Sequence, residues 1–288
     1  MKLILSFSLL VSVSTFASVK PNLIPKVIYG TDDRMDIYQS SDTLLIELSR
    51  ATAAQIQRDE FSTGADGIIT LHGKTMADSG MCKTERFSNQ KTAANCSGFL
   101  IAPDVLVTAG HCVTSESSCD NFYWVFDYAN THTEVADFKF NEDQVFYCTQ
   151  IIDRQKDSYT QNDYAVVRLN RAVPGRTPLT IRTSGKIADD AKVAVIGHPT
   201  GLPTKITSNA ILRDNAKDIY FRMNSDTYGG NSGSAVVDMA TGMVEGILVR
   251  GDTDYAKGGA SCYSSVVRTE DGGRGEDATR ITNLRIIN

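Results

Sequence analysis

After its N-terminus the 288-residue sequence lacks any run of about eighteen apolar residues, the minimum for a membrane-spanning helix. It also lacks an excess of positive charge, because 29 basic and 34 acidic residues give a formal net charge of −5. That balance argues against a nucleic-acid partner. The chain shows no internal repeat and no low-complexity tract. Its hydrophobic content of 41% suffices for a core and excludes a disordered chain.

The N-terminus has the features of a signal peptide rather than of a folded element. Met1-Lys2 supplies a positive start, residues 3–13 are mostly apolar, and Thr15-Phe16-Ala17 offers a small-residue cleavage site. No cysteine directly follows that site, so the sequence does not support a lipid anchor. We therefore expect residues 1–17 to be removed and the mature protein, a monomer without a membrane anchor, to be secreted or periplasmic.

The cysteines lack the spacing of a metal site. There is no Cys-x-x-Cys pair and no Cys/His cluster at ligand spacing, so we expect no metal and no other cofactor. An even number of cysteines in an exported chain predicts disulfides, for which sequence alone permits about fifteen pairings. The six are Cys82, Cys96, Cys112, Cys119, Cys148 and Cys262.

The richest motif is Gly229-Gly230-Asn231-Ser232-Gly233-Ser234, in which glycines surround a serine. Glycine backbones permit a tight turn that exposes a hydroxyl and lets N–H groups converge beside it. Acyl transfer needs both a nucleophile and donors for an oxyanion. Taken alone, this motif is also typical of a surface turn. Two upstream segments change the interpretation: Thr108-Ala109-Gly110-His111-Cys112 after apolar runs, and Asp163-Tyr164-Ala165-Val166-Val167-Arg168-Leu169, where an aspartate opens an apolar strand.

Together these motifs, with Cys96-Ser97-Gly98, resemble the chymotrypsin-like (trypsin-like) serine proteases, whose triad follows the order His, Asp, Ser. The resemblance runs from roughly Gly67 to the C-terminus. It implies that His111 is the general base, that Asp163 orients it and that Ser232 is the nucleophile. It also implies an oxyanion hole from the N–H groups of Gly230 and Ser232, and protein or peptide substrates.

The same resemblance implies a disulfide between Cys96 and Cys112, beside the histidine. We expect Cys119–Cys148 to join neighbouring strands of one domain, and Cys82 and Cys262 then remain as the third pair. A competing interpretation of the whole chain is a catalytically silent homologue that binds a partner. An esterase is another, although a Gly-x-Ser-x-Gly elbow between strand and helix would be typical of it.

Many short runs rich in Val, Ile, Tyr and Phe, separated by Gly, Pro, Asn and Asp, predict an all-β fold. Two antiparallel β-barrels would enclose the active site between them, and the spacing of Ile281, Leu284 and Ile286 allows a short C-terminal helix. Residues 43–57 are compatible with a helix or a strand. The predicted divisions are a signal peptide (1–17), a prosegment or N-terminal extension (18–60), a first barrel (61–171), a linker (172–190) and a second barrel (191–288).

Substrate preference is left between two alternatives. The Gly-Gly-Asn-Ser-Gly-Ser loop and the stretch 26–34 resemble bacterial glutamyl endopeptidases, but 246–251 lacks the histidine that those enzymes use. Asp226 lies six residues before Ser232, the trypsin offset for recognition of Lys or Arg, and a turn-capping role is equally compatible. The predicted substrate-binding residues are Asp226, Thr227, Val249, Arg250 and Gly251.

Overall fold

A computed structural model describes residues 28–134, 137–258 and 261–286 of the chain. The predicted signal peptide lies outside these residues. Within them, two short α-helices are α1 (Thr43–Ser49) and α2 (Ser117–Asn121), and 3-10 turns cover Ile37–Gln39, Arg58–Glu60, Glu142–Gln144, Pro199–Gly201 and Ile281–Asn283. The strands are β1 (Ile28–Tyr29), β2 (Met35–Asp36), β3 (Thr52–Gln57), β4 (Phe61–Thr63), β5 (Ile69–Leu71), β6 (Lys74–Thr75), β7 (Lys91–Thr92), β8 (Ala94–Ala102), β9 (Val105–Thr108), β10 (Phe122–Phe126), β11 (Lys139–Phe140), β12 (Val145–Phe146), β13 (Cys148–Lys156), β14 (Asp163–Leu169), β15 (Lys192–Gly197), β16 (Lys205–Asp214), β17 (Tyr220–Met223), β18 (Ala235–Asp238), β19 (Val244–Arg250), β20 (Tyr255–Lys257), β21 (Tyr263–Ser265), β22 (Val267–Arg268) and β23 (Glu276–Arg280).

The first large sheet is antiparallel and has the order β12-β10-β3-β8-β9-β14-β13. It curls into a half-barrel whose two edge strands, β12 and β13, follow one another in the chain with Tyr147 alone between them. Cys119 of α2, just before β10, is bonded to Cys148 at the start of β13. Chain continuity and this disulfide therefore hold together two ends of the sheet that the ladder leaves apart.

The second large sheet is a closed six-strand barrel. Its order is β15-β18-β19-β23-β17-β16, and β15 also pairs with β16, from Lys192 opposite Ile211 to Gly197 opposite Lys205. The N-terminal β2 adds to the outer side of β16. The predicted all-β architecture is confirmed, with one barrel closed by hydrogen bonds and the other open. Residues 170–191 connect the two sheets and contain neither a helix nor a strand.

The predicted boundary at residue 60 does not coincide with the edge of the first sheet. β3 lies in the middle of that sheet, between β10 and β8. Its side chains are buried from Thr52 to Ile56, so the strand shows no alternation of polar and apolar residues that sequence reading could use. The preceding helix α1 is capped by Asp42, whose side chain accepts hydrogen bonds from the N–H groups of Leu44 and Leu45. Removal of a prosegment stays a prediction. Any removed segment would have to end before β3, because the first sheet needs that strand.

The predicted C-terminal helix is also corrected. Residues Glu276–Arg280 form β23, which pairs with β19 and β17, and a single 3-10 turn over Ile281–Asn283 follows. All five residues of β23 are buried, so strand periodicity is again absent from the sequence. Ile281 and Leu284, whose spacing suggested a helix, pack into the core instead.

All three predicted disulfides are present: Cys96–Cys112, Cys119–Cys148 and Cys82–Cys262. The third spans 180 residues and joins the loop after β6 to the hairpin β20–β21. A single hydrophobic cluster runs from Phe99 of the first sheet to Val249 of the second, so the barrels share a packed interface. Over the described ranges no helix has both the length and the apolar character needed to cross a membrane.

Candidate active site

His111 and Asp163 meet at the end of two neighbouring strands. His111 follows β9, Asp163 is the first residue of β14, and Thr108 of β9 lies opposite Ala165 of β14. The Nδ1 atom of His111 lies 2.9 Å from Oδ2 of Asp163, and the backbone N–H of His111 donates to Oδ1 at 3.1 Å. The carboxylate thus holds both the ring and the backbone of the histidine. This leaves the other ring nitrogen directed away from Asp163.

Asp163 is held in its ionised form. Burial by itself would raise the pKa of Asp163, but the hydrogen bonds from His111 and Lys156 outweigh it and bring the pKa below its ordinary value. Its side chain is 1% exposed, whereas that of His111 is 33% exposed. An orienting anion is therefore shielded from water and the ring beside it is open to the cleft.

Ser232 lies in the turn between β17 and β18 and is brought against the same strand ends. The N–H of Ser97, in β8, donates to its carbonyl oxygen at 2.8 Å. The Sγ atom of Cys112, next to His111 in the chain, lies 3.7 Å from that oxygen. The backbone of Ser232 thus lies beside the loop that carries His111.

The backbone around Ser232 presents two uncommitted donors. The carbonyl of Gly229 accepts the N–H of Thr200 at 2.6 Å, which turns the N–H of Gly230 to the opposite side of the same planar peptide. Gly230 has a φ of +95°, a conformation that favours glycine. Within the described part of the chain, neither the N–H of Gly230 nor that of Ser232 donates to a protein acceptor. Both are available to a ligand oxygen.

Thr200 is a residue that sequence analysis missed. Its φ is +57°, which is strained for a β-branched residue. Three hydrogen bonds hold Thr200. Its N–H donates to the Gly229 carbonyl, its carbonyl accepts from the Thr92 hydroxyl, and its hydroxyl is hydrogen-bonded to that of Tyr255. Such strain persists only where the surroundings over-determine it. No motif could reveal this residue, because its role depends on partners far away in the chain.

A cavity of about 200 Å³ opens beside Ser232. Arg250 and Gly251, two of the predicted substrate-binding residues, line it, and three carboxyl side chains lie in its wall. The Nε atom of Arg250 lies 3.1 Å from Oδ2 of Asp277, a buried carboxylate that Arg222 and Arg274 also contact. The other lining residues are Tyr228, Gly229, Leu248, Asp252, Asp254 and Glu276.

Asp226 does not lie in this cavity, which corrects its predicted place at the base of a substrate pocket. Its carboxylate accepts the N–H groups of Tyr29, at 2.7 Å, and of Asp33, at 2.9 Å, so it anchors the N-terminal segment. Burial raises the pKa of Asp226 to about 8. Two other predicted pocket residues are also absent from the cavity lining: Thr227 donates its hydroxyl to Glu276, and Val249 packs into the core.

Asp254 and Glu276 are the acidic groups that the sequence did not reveal. Burial raises the pKa of Asp254 to about 6. The Gly229 N–H, which donates to Oδ2 at 2.6 Å, acts in the opposite direction and lowers the pKa. Burial likewise raises the pKa of Glu276 to about 8, although the Thr227 hydroxyl donates to it at 2.7 Å. A cation entering the cavity would offset part of this desolvation.

A group of potential metal ligands also surrounds the histidine. The sulfur atoms of Cys96 and Cys112 and a ring nitrogen of His111 lie within 4.8 Å of one another. The two sulfurs are bonded to each other, and metal binding requires thiolates. The residues present therefore do not make a metal site while the disulfide is intact.

Known proteins and families similar to this chain include peptidases. The family model described as trypsin-like peptidase domain matches residues 96–247. The extracellular metalloprotease of Bacillus subtilis (strain 168) is 28% identical over 165 residues, covering 52% of this chain and 48% of the relative. The chain thus spans about half the length of the curated relative that it matches.

Two solved structures are similar to this chain. The VesB protease of Vibrio cholerae has a TM-score of 0.53 at 15% identity, covering 88% of this chain and 66% of that one. A Glu endopeptidase in complex with MPD has a TM-score of 0.47 at 17% identity, with 88% and 95% covered. At such identities, the likeness to VesB shows the fold alone.

Proposed function

The chain belongs to the trypsin-like peptidase family, and from that premise we propose that it is an exported serine endopeptidase that cleaves after lysine or arginine. The observation that carries the proposal is the hydrogen-bonded pair of His111 and Asp163 beside the Ser232 turn. A nucleophile, a base and a buried orienting anion are the three parts that the acyl-enzyme mechanism needs.

In this mechanism the Ser232 hydroxyl attacks the scissile carbonyl carbon. Neutral His111 accepts the hydroxyl proton and later donates it to the leaving amine, which breaks the peptide bond and leaves an acyl ester on Ser232. Water, deprotonated by the same imidazole, then attacks the ester and releases the acid. Asp163 stabilises the imidazolium that forms in each half of the reaction, and its low pKa keeps it ionised throughout.

The oxyanion of each tetrahedral intermediate would be bound by the N–H groups of Gly230 and Ser232. Their lack of protein acceptors within the described chain supports this role. Fixed donors of this kind each lower the barrier by about 3 kcal/mol, because they need no reorganisation as charge develops.

The cavity beside Ser232 supports recognition of a basic side chain. Asp252, Asp254 and Glu276 lie in its wall, and Arg250, the one cation in the lining, is turned to Asp277. A substrate Lys or Arg would meet the Asp254 carboxylate, which ionises as pH rises through about 6, whereas a substrate Glu would meet like charge. This argues against glutamyl preference. It also gives the Lys/Arg preference a different basis from the Asp226 interpretation.

Export is supported by the three disulfides, which persist in oxidising compartments. A relative named as extracellular agrees with it. The predicted signal peptide supplies the route. We propose a secreted or periplasmic location on these grounds.

The test is labelling of the mature protein with a serine-directed fluorophosphonate, followed by a positional-scanning peptide library. We expect labelling at Ser232, none in Ser232→Ala, and cleavage after Lys and Arg. A folded protein that is not labelled would support the silent binding homologue. Labelling without peptide cleavage would support an esterase, and cleavage after Glu would overturn the proposed pocket.

A further inference from the structure

A lysine contacts the buried carboxylate of the His111–Asp163 pair. The Nζ atom of Lys156 lies 2.7 Å from Oδ2 of Asp163, the same oxygen that faces Nδ1 of His111 at 2.9 Å. Lys156 ends β13 and Asp163 begins β14, and the two stand directly opposite each other in the hairpin. Opposite charges on directly opposed strand residues attract each other, and here one of them belongs to the proposed triad.

The carboxylate of the pair is buried and fixed by its surroundings, whereas the lysine is partly exposed and can be substituted without disturbing the core. The Asp163 side chain is 1% exposed and that of Lys156 is 43% exposed. Gly110 allows the His111 loop to approach closely, since a Cβ there would lie 2.1 Å from the carbonyl oxygen of Gln155 and 3.1 Å from Oδ1 of Asp163. Removing the lysine head group would therefore take away a charge without opening a cavity.

Other charged groups near the pair are committed elsewhere. On β13, Arg154 donates to the Gly110 carbonyl at 2.7 Å, and Asp153 accepts the Tyr164 hydroxyl at 2.7 Å. In the hairpin loop, the Asp157 carboxylate accepts the N–H groups of Tyr159 and Thr160. Lys156 is thus the cation in direct contact with the Asp163 carboxylate.

The second barrel adds two cations to the neighbourhood, and neither reaches Asp163. Arg250 pairs with Asp277 and donates to the Gln161 carbonyl. Arg285 lies 3.9 Å from Asp153. The electrostatic partners of the Asp163 carboxylate are therefore His111 and Lys156.

We propose that Lys156 is a positioning residue that acts through Asp163 to keep His111 neutral at lower pH than the His111–Asp163 pair alone would allow. The lysine charge offsets part of the Asp163 charge and repels a proton on the imidazole, so the imidazolium is stabilised less. The inference rests on the proposed peptidase function.

The experiment measures the rate of inactivation by an uncharged fluorophosphonate between about pH 5 and 9, where a histidine base titrates. An uncharged probe is chosen because it does not use the acidic cavity. In Lys156→Gln we expect the midpoint of the acidic limb to move up by about half a pH unit, since the lysine is partly exposed. Lys156→Arg keeps the positive charge and should keep the wild-type midpoint.

The matched control is Lys186→Gln. Lys186 is also a partly exposed lysine paired with an aspartate, with Nζ 2.9 Å from Asp218, but it belongs to the segment between the barrels. The Lys186→Gln substitution removes the same net charge and should leave the midpoint of the acidic limb unchanged. A midpoint unchanged in Lys156→Gln, or shifted equally in Lys186→Gln, would overturn the proposal.

A second measurement separates this inference from the proposed function. In the Ser232→Ala background, an NMR titration of the His111 ring reports the same coupling without turnover. A wild-type protein that resists labelling would overturn the peptidase proposal. A ring titration that is the same with and without Lys156 would overturn the role of the lysine.

Discussion

The second barrel is closed by hydrogen bonds all the way round, whereas the first is completed by covalent connections. β15 pairs with both β18 and β16, whereas β12 is joined to β13 through Tyr147, and the Cys119–Cys148 disulfide links α2, just before β10, to β13. The two halves of the proposed site also differ in being held by a covalent bond or by hydrogen bonds. His111 sits beside Cys112, whose disulfide ties its loop to β8, while the Ser232 turn is fixed by glycine geometry and hydrogen bonds to Ser97 and Thr200. Covalent bracing thus supports the base, and backbone geometry supports the nucleophile.

The strongest test of this division is whether the two halves act as one unit. His111→Ala and Ser232→Ala should each lower kcat/KM on a peptide substrate by at least about a thousandfold, and the double variant should be no worse than either. The physical reason is that the base has no task without the nucleophile. Steady-state kinetics on proteins shown to be folded by circular dichroism would measure this. Losses that multiply in the double variant would mean that the two residues act independently.

Removing the disulfide that completes the open barrel should have the next largest effect. Cys119 and Cys148 are 29 residues apart in sequence. Replacing both by serine should lower the free energy of unfolding by about 3.5 kcal/mol in the chain-entropy model, as measured by urea denaturation.

The effect should also be local to the half-barrel. In the same variant, hydrogen exchange should accelerate in β12 and β13 and stay unchanged in β15 and β18, whose barrel closes without that bond. Equal acceleration in both barrels would show that the difference in closure has no energetic consequence.

A third test compares Asp254, which lines the cavity beside Ser232, with Asp226, which is hydrogen-bonded to the N-terminal segment. Asp254→Asn should lower kcat/KM for Lys and Arg substrates by about thirtyfold or more, because a buried charge pair loses one member. Asp226→Asn should leave the ratio of Lys/Arg to Leu substrates unchanged and loosen the N-terminal segment, since its partners are Tyr29 and Asp33. A loss of Lys/Arg preference in Asp226→Asn but not in Asp254→Asn would instead support Asp226 as the residue that recognises the substrate.

The smallest effect concerns pH. The raised pKa values of Asp254, about 6, and Glu276, about 8, mean that both are increasingly neutral as pH falls below these values and ionise as pH rises through them. KM for Lys and Arg substrates should therefore fall severalfold between about pH 5.5 and 8.5, whereas KM for a Leu substrate should stay level. Parallel profiles for both substrates would show that the cavity does not recognise charge.

The sequence indicated those parts of the proposed site that depend on short segments. The turn around Ser232, the His111 loop and the start of β14 each carry their own motif, and the three together indicated the family and the fold. It failed where burial hides periodicity. β3 and β23 are covered on both faces and show no alternation, so the first was placed outside the barrel and the second in a helix.

The sequence by itself supplied the residues proposed for chemistry and their order, because short motifs show which residue types suit a strained turn or a strand end. The cysteine pairing was implied by the family resemblance and was shown by the tertiary structure. The tertiary structure alone decided which acids face the cavity. Asp226 and Tyr29 are 197 residues apart, and Thr227 and Glu276 are 49 apart, yet each pair is hydrogen-bonded. Lys156 shows the same limit at short range, because its contact with Asp163 follows from the register of a hairpin. Motifs identify groups that can react, whereas the charges that tune them are set by packing between distant segments.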